Sequence, residues 1–401
     1  MLRELLECLG AVDDPRETGK VEHRLIDVLA IAVCAVLANA ESFEDIALYG
    51  RSKRAWLSRF LELRGGIPSH DTFRRVLMLI DPQQFERGFL AWTRQAFDPG
   101  SEDGADGDAP VQIAVDGKTV RRSFDRRRGR TPLHLVSAFA TRSGLVLAQR
   151  RVADKGGEIG VLPDLLAGLD LRGALVSLDT ASCHPRAAGA IRERGGDYLI
   201  ALKGNCRTLH SRVRDWFATH AFAPGGSLHP CSDSFDERHG RLVRRRVFVA
   251  GIDELEGEPD GNADPNSDPD AAALLDAWPG LARMVAVEAI RMVENPAPNA
   301  STRASSQKRY FLTSSSASDD RIAEAVRAHW SIENQLHWVL DTGFGEDLSR
   351  VRDQNAAANL AVLRRIALNL VRADTTVSGS LKGKRKRAAW DDAFMQKIVA
   401  R

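Results

Sequence analysis

The chain has 401 residues, 43% of them hydrophobic and 27% charged, with a formal net charge of +2, which predicts a soluble globular protein with room for two or three domains. Its longest apolar run, Val28 to Ala38, is too short to cross a bilayer, which argues against a membrane protein. Its five cysteines lack CxxC spacing, which argues against a disulfide framework and a zinc knuckle. The N-terminal residues are amphipathic and include Glu4 and Glu7, unlike a signal or transit peptide, so we expect a cytoplasmic protein.

Helical periodicity runs through residues 1–98 and predicts an all-helical N-terminal domain. Ser69 is suited to cap a short helix whose outer side carries Arg74 and Arg75. Such a helix could recognise DNA as part of a helix-turn-helix, but an ordinary bundle helix explains the pattern equally well. The acidic, glycine-rich segment 99–110 then predicts a linker.

From Val111 onward the pattern changes to short apolar runs typical of buried strands. Five strands and two helices follow in the order β-β-β-α-β-α-β, which is the order of a ribonuclease-H-like sheet. The predicted strands are residues 111–115, 132–141, 145–153, 175–178 and 198–202. Asp116 follows the first strand and Asp179 the fourth, and these strands are neighbours in this topology. Both carboxylates are therefore expected at one edge of the sheet.

This core is predicted to span residues 111–375, with a strand-rich insertion at about 204–305. The remaining residues, 376–401, are polar and basic and predict a flexible tail apart from Trp390 to Val399. The expected fold is thus mixed α/β, with a ribonuclease-H-like core behind an all-helical N-terminal domain.

A single amphipathic helix is predicted from Asp319 to Leu340, with His329, Glu333 and His337 on one face at i, i+4 and i+8. A carboxylate among large apolar residues is costly unless it is paired or binds a metal. The same spacing is compatible with a zinc site, although the HExxH arrangement is absent. His337 and both tryptophans of this helix are expected to pack in the core.

Three acids, Asp116, Asp179 and Glu333, would suit Mg²⁺ or Mn²⁺ if they converge, because hard cations prefer oxygen ligands. Two such ions about 4 Å apart can activate an attacking hydroxyl and stabilise a leaving oxygen in phosphoryl transfer. The basic clusters are candidate phosphate-binding surfaces, although each is also explained as a solvated face. These clusters are residues 121–130, 238–246 and 382–387.

Four stretches carry a resemblance to a known family: IAVDGKTVRRS, ALVSLDTASCH, DYLIALKGN and HWSIENQLHWVLDTGFGEDLSRVRDQNAAANLAVLRRIALNL. They resemble the ISAs-type bacterial insertion-sequence transposases, also called H-repeat-associated proteins, which are DDE transposases. IPSHDTFRRVL resembles the N-terminal region of the family, and the similarity runs from about Asp14 to Asp374.

The resemblance implies a DNA transposase that cleaves and joins strands at terminal inverted repeats and target DNA. It implies Asp116, Asp179 and Glu333 as the catalytic, metal-binding triad with two Mg²⁺ or Mn²⁺ ions. It also implies a homodimer in the synaptic complex and an association with the nucleoid. Seven further residues are expected to contact DNA or to support the acids: Lys118, Arg121, Arg122, Lys203, His329, Asn334 and Arg350.

Departures from the broader superfamily concern the neighbours of the acids. Val326, His329 and Leu340 occupy the Tyr, Arg and Lys positions of the Tyr-Arg-Glu-Lys signature, and Thr180-Ala181 replace the usual Ala-Met after the second acid. Two alternatives remain at this point: a nuclease of the same fold without strand transfer, and a non-catalytic DNA-binding relic.

Overall fold

The computed structural model describes residues 1–17, 19, 21–97, 111–152, 156–238, 241–256, 271–293 and 303–400. The expected linker, 99–110, lies outside these residues. The chain forms two compact units, each assembled from separate stretches of sequence. Unit 1 comprises Met1–Ala105, Asp116–Leu169 and Ser331–Arg401, and unit 2 comprises Asp106–Val115 and Asp170–Trp330. Among the described helices, none combines the length and the apolar character that a bilayer crossing requires.

Within residues 1–97, as far as the structure describes them, the N-terminal part of unit 1 has six α-helices. They are α1 (Leu2–Leu9), α2 (Leu25–Leu37), α3 (Phe43–Ser52), α4 (Arg54–Leu57), α5 (His70–Leu79) and α6 (Pro82–Ala96). The hydroxyl of Ser69 accepts a hydrogen bond from the Thr72 amide at 3.2 Å, so the predicted cap of α5 is confirmed. Helix α2 is apolar around its circumference and is almost entirely buried, as expected for a central core helix.

Nine strands of the described residues form one sheet, in the order β3-β2-β1-β4-β5-β9-β8-β7-β6. The first five are β1 (Val111–Thr119), β2 (His134–Ala140), β3 (Val146–Val152), β4 (Ala174–Leu178) and β5 (Asp197–Leu202). Strand β1 is parallel to β4, and β4 is parallel to β5, whereas β2 and β3 are antiparallel. The predicted mixed α/β, ribonuclease-H-like order is confirmed. Strand β1 is longer than expected, because it continues past Asp116 to Thr119.

Helices α7 (Glu158–Leu166) and α8 (Pro185–Arg192) connect β3 to β4 and β4 to β5. Four antiparallel strands, three within the insertion and one that begins at its end, continue the sheet beyond β5. They are β6 (Ser232–Arg238), β7 (Arg241–Gly251), β8 (Arg283–Val293) and β9 (Arg303–Thr313). The helices of the insertion are α9 (Arg207–Phe217), α10 (Asp253–Glu256) and α11 (Ala271–Asp276). Strand β6 was not predicted, since its sequence, SDSFDER, has few apolar residues.

The helix predicted from Asp319 to Leu340 is divided into three segments. These are α12 (Asp319–His329), a π-helical turn (Ile332–His337) and α13 (Trp338–Phe344). The prediction of one continuous helix was therefore wrong. Within unit 2, α12 packs on β4 and β7 through Ile322 and Val326. The amide of Gln112 on β1 donates to the Ala325 carbonyl at 2.8 Å, which holds α12 against the sheet.

Three helices complete unit 1. They are α14 (Gln354–Ala373), α15 (Leu381–Trp390) and α16 (Asp392–Ala400). Helix α14 is buried over most of its length and packs on α2, α5 and α6. The expectation of a flexible basic tail was wrong for α15, because Arg385 is buried there and donates to the Val36 carbonyl at 2.7 Å.

Candidate active site

Strand β1 carries polar residues on both sides of its pleat near its end. Side chains alternate along a strand, so Asp116 and Lys118 share one face while Gly117 lies on the other. The Asp116 side chain is only 20% exposed, and its Oδ1 accepts a hydrogen bond from the Gly117 amide at 2.8 Å. Its carboxylate is therefore held in a fixed position close to the backbone.

The π-helical turn Ile332–His337 brings two more ligand groups to Asp116. His337 Nδ1 lies 2.8 Å from Glu333 Oε2 and 3.5 Å from Asp116 Oδ2. One ligand atom from each of the three residues lies within 4.8 Å of the others. The structure thus brings together two of the three predicted acids, Asp116 and Glu333, with a histidine between them. π-Helical turns are rare and often occur at functional sites.

Glu333 is kept ionised by its surroundings. The hydrogen bond from His337 lowers the pKa of the Glu333 carboxyl below its ordinary value, and the charge of Lys118 acts in the same direction. The Glu333 side chain is 58% exposed, whereas that of His337 is only 5% exposed. The site therefore presents an accessible carboxylate backed by a buried imidazole.

Lys118 is buried next to this group, and two carboxylates balance its charge. Its Nζ lies 2.7 Å from Asp341 Oδ1 and 3.5 Å from Asp347 Oδ1. Asp347 also accepts a hydrogen bond from the backbone amide of Arg121 and pairs with its guanidinium, each at 3.2 Å. Lys118 thus occupies a supporting position, while the Arg121 side chain is 82% exposed.

Behind Asp116, on the other face of β1, lies a buried polar chain. Glu158 Oε1 is 2.6 Å from His134 Nε2, and His134 Nδ1 is 2.9 Å from Thr119 Oγ1. The backbone at Gly117 approaches this pair so closely that a Cβ there would lie 2.4 Å from Glu158 Oε1. Only glycine leaves enough room at this position.

Asp179 immediately follows β4 in unit 2. Its Oδ1 accepts a hydrogen bond from the Ala181 amide at 3.0 Å and caps a short 3-10 turn. Val115 of β1 is paired with Leu178 of β4 in parallel register. Asp116 follows Val115 in the chain, and Asp179 follows Leu178. Lys203 follows β5 and is exposed.

His329 ends α12 and is buried. Its Nδ1 lies 2.9 Å from the Ser177 hydroxyl of β4, and burial lowers its pKa to about 4. The imidazole is therefore neutral at physiological pH and links α12 to the sheet. The zinc site considered from the sequence would use His329, Glu333 and His337 as ligands. The group of possible metal ligands found among the described residues is instead Asp116, Glu333 and His337.

Several side chains near these elements face solvent. Arg122, Asn334 and Arg350 are exposed. Trp330 and Trp338 are 47% and 61% exposed, so the expectation that both pack in the core was wrong. The Arg309 guanidinium lies over the Trp330 ring, 4.7 Å from its centroid, which holds that ring at the surface of unit 2.

The donor set of Asp116, Glu333 and His337 fits a divalent cation. Two carboxylates supply oxygen ligands, which Mg²⁺ and Mn²⁺ prefer, and imidazole is accepted by Mn²⁺ and other transition metals. The expectation of a packing role missed His337 as a member of this group, although its i, i+4 spacing from Glu333 was visible in the sequence.

Comparisons with known proteins cover nearly the whole chain. Residues 6–93 match a family described as "DDE_Tnp_1-associated", and residues 108–370 match one described as "Transposase DDE domain". One relative, "Putative transposase YncI" of Escherichia coli O157:H7, is 33% identical over 404 residues, covering 100% of this chain and 95% of the relative. Another, "H repeat-associated putative transposase YhhI" of Escherichia coli K12, is 32% identical over 100% of this chain and 98% of its own.

A solved structure of the piggyBac transposase synaptic complex with hairpin DNA aligns with 100% of this chain and 77% of its own, at 9% identity and a TM-score of 0.39.

Proposed function

This chain belongs to the H-repeat-associated DDE transposases, and from that premise we propose that it cleaves DNA at the terminal inverted repeats of an insertion sequence and joins the ends to target DNA. Its DNA partners are then the two ends of the insertion sequence and the target duplex. Two copies of the chain bring the two ends together in a synaptic homodimer. It acts on DNA in the cytoplasm, at the nucleoid.

The observation that carries this proposal is the convergence of Asp116 of strand β1 and Glu333 of the π-helical turn. The pairing of Val115 with Leu178 supports Asp179 as the third acid. We assign Asp116, Asp179 and Glu333 as the residues that hold Mg²⁺ or Mn²⁺. When bound, two such ions lower the barrier to in-line displacement at a phosphodiester.

The protein groups around the acids have separate roles in this proposal. The His337 hydrogen bond keeps Glu333 deprotonated and ready to bind a cation. Lys118 offsets part of the negative charge of Asp341 and Asp347, and its charge also favours the ionised form of Glu333. The exposed residues Arg121, Arg122, Lys203, Asn334 and Arg350 are assigned to the DNA backbone, because phosphate contacts provide most of the affinity for DNA.

Replacing Asp179 by Asn tests the catalytic assignment. We expect Asp179→Asn to abolish metal-dependent nicking of end-sequence DNA while leaving binding in a gel-shift assay intact, since the amide removes the negative charge but keeps the shape. Asp170→Asn is the matched control, because Asp170 is 59% exposed in the same unit and pairs with its near neighbour Arg172. Nicking by Asp179→Asn at the wild-type rate contradicts the assignment.

An assay with donor and target DNA then tests strand transfer. Joined products are expected for a transposase. Hydrolysis products alone would replace the proposal with a nuclease of the same fold, and binding without cleavage on any end sequence would replace it with a DNA-binding relic.

A further inference from the structure

On the basis of the function proposed above, we propose that His337 binds the divalent ion directly, together with Asp116 and Glu333. The site would then hold one of its ions with two carboxylates and one imidazole, rather than with carboxylates alone. The three residues lie in unit 1 and come from β1 and the π-helical turn.

The distances fit a single ion shared by these three side chains. His337 Nδ1 lies 2.8 Å from Glu333 Oε2 and 3.5 Å from Asp116 Oδ2. Donor atoms bound at about 2.1 Å to one ion are roughly 3 to 3.5 Å apart, so little movement is needed to place an ion among them.

The orientation of the ring supports Nδ1 as the ligand atom. Because the His337 side chain is only 5% exposed, the ring is fixed with Nδ1 facing both carboxylates. A neutral imidazole whose proton is on Nε2 has its lone pair on Nδ1. A lone pair aimed at two carboxylates is repelled unless a cation lies between them. Without an ion, a proton on Nδ1 removes this repulsion by forming the hydrogen bond to Glu333. A divalent ion in the same place removes the repulsion with twice the charge.

The position of His337 in the fold limits the alternatives to direct binding. It is four residues after Glu333, and the π-helical turn places both side chains toward Asp116. The ring also cannot leave this position for solvent, because neighbouring atoms cover it. A purely packing role would not require a nitrogen atom 2.8 Å from the exposed carboxylate.

A nitrogen ligand changes which divalent ion the site prefers. Mg²⁺ takes oxygen ligands almost exclusively, whereas Mn²⁺ also accepts imidazole. We therefore expect His337→Gln to weaken Mn²⁺ binding by about tenfold or more, and to affect Mg²⁺ binding much less.

Electron spin-echo envelope modulation of Mn²⁺ bound to the full chain, prepared without a polyhistidine tag, tests this directly. The wild type should show modulation from a coordinated ¹⁴N nucleus, and the pattern should change when the protein is made with ¹⁵N-histidine. His337→Gln should lose the nitrogen signal. His70→Gln, at an exposed position on α5, should keep both the signal and the Mn²⁺ affinity.

Each result bears on the proposal separately from the proposed function. Mn²⁺ bound without any nitrogen signal overturns His337 as a ligand and leaves the carboxylate site intact. No Mn²⁺ binding overturns both. Circular dichroism checks that His337→Gln is folded. If it is not, His337→Asn takes its place: loss of the nitrogen signal in a folded His337→Asn variant supports the proposal, and an unchanged signal overturns it.

Discussion

At the residue scale, Gly117 is the position near the candidate site where a larger side chain fits least. Its backbone passes between Asp116 and the buried pair of His134 and Glu158. A Cβ at this position would lie 2.4 Å from Glu158 Oε1 and 2.7 Å from His134 Nε2. Both side chains are buried, so neither can move away into water. Because Gly117 has no side chain, β1 can pass between this pair and the candidate carboxylate of Asp116.

We predict that Gly117→Ala destabilises the protein by about 1–3 kcal/mol, because the added methyl group overpacks a buried polar pair. Urea denaturation followed by circular dichroism measures the change. Gly160→Ala is the control, since Gly160 lies in α7 where an added Cβ would meet no atom within 4 Å, and alanine favours a helix there by about 0.5–1 kcal/mol. Equal midpoints for Gly117→Ala and the wild type would contradict the prediction.

Two of the three acids could be anticipated at one site from the sequence. Asp116 follows an apolar strand, and Glu333 lies in the motif that carries the family resemblance. His337 could not be assigned, because a helical periodicity shows which residues share a face but not which face meets β1. Asp179 remains a prediction that rests on the register of β1 and β4.

At the element scale, the division of the helix predicted from Asp319 to Leu340 left no mark in the apolar pattern. At 3.6 residues per turn, the five apolar residues fall within about 120° of one face, which is the pattern of one continuous amphipathic helix. They are Ile322, Val326, Ile332, Leu336 and Leu340. The structure nevertheless ends α12 at His329 and begins the π-helical turn at Ile332. Periodicity alone could not predict this change.

The loop between β1 and β2 presents three successive exposed arginines, Arg126, Arg127 and Arg128. Asp125 caps this short 3-10 turn by accepting the Arg127 amide at 3.1 Å, and the Asp125 to Arg130 bridge closes the loop. The arginines therefore project from a closed turn that follows β1, the strand that carries Asp116.

We predict that replacing these three arginines by alanine weakens DNA binding and makes it less salt-dependent. Each lost phosphate contact should reduce the slope of log affinity against log salt by about 0.9, so a decrease of roughly 2–3 is expected. Fluorescence anisotropy at several salt concentrations measures the slope. A triple variant of the exposed arginines Arg3, Arg172 and Arg214, each paired with a nearby acid, is the control. The same loss in both variants would show a general charge effect.

At the scale of the whole molecule, unit 1 combines the beginning and the end of the described chain. Helix α14 packs on α2, α5 and α6, and α16 packs on α1. Arg385 of α15 donates to the Val36 carbonyl and lies 3.7 Å from the centroid of the Phe344 ring. Sequence reasoning divided the chain into consecutive domains and could not predict this arrangement, because the basic composition of 382–387 hides buried contacts that form only in the folded unit.

We predict that deleting residues 376–401 destabilises unit 1 rather than removing a DNA-binding extension. Buried side chains of α16, among them Phe394, Met395 and Ile398, would leave a cavity and expose apolar surface on α14. A lower urea midpoint and a lower soluble yield are expected. Lys382→Ala and Lys386→Ala together, on the exposed side of α15, are the control. An unchanged midpoint after the deletion would restore the interpretation of this segment as a tail.

The discontinuity of unit 1 also has a consequence during synthesis. Residues 1–97 leave the ribosome long before residues 331–400, which supply α14 and its neighbours. Until then, much of the apolar surface of α2 lacks α14, the helix that covers it in the folded unit, and is available for aggregation. We therefore expect a chain that stops before residue 331 to be degraded in the cell rather than to accumulate as a folded protein.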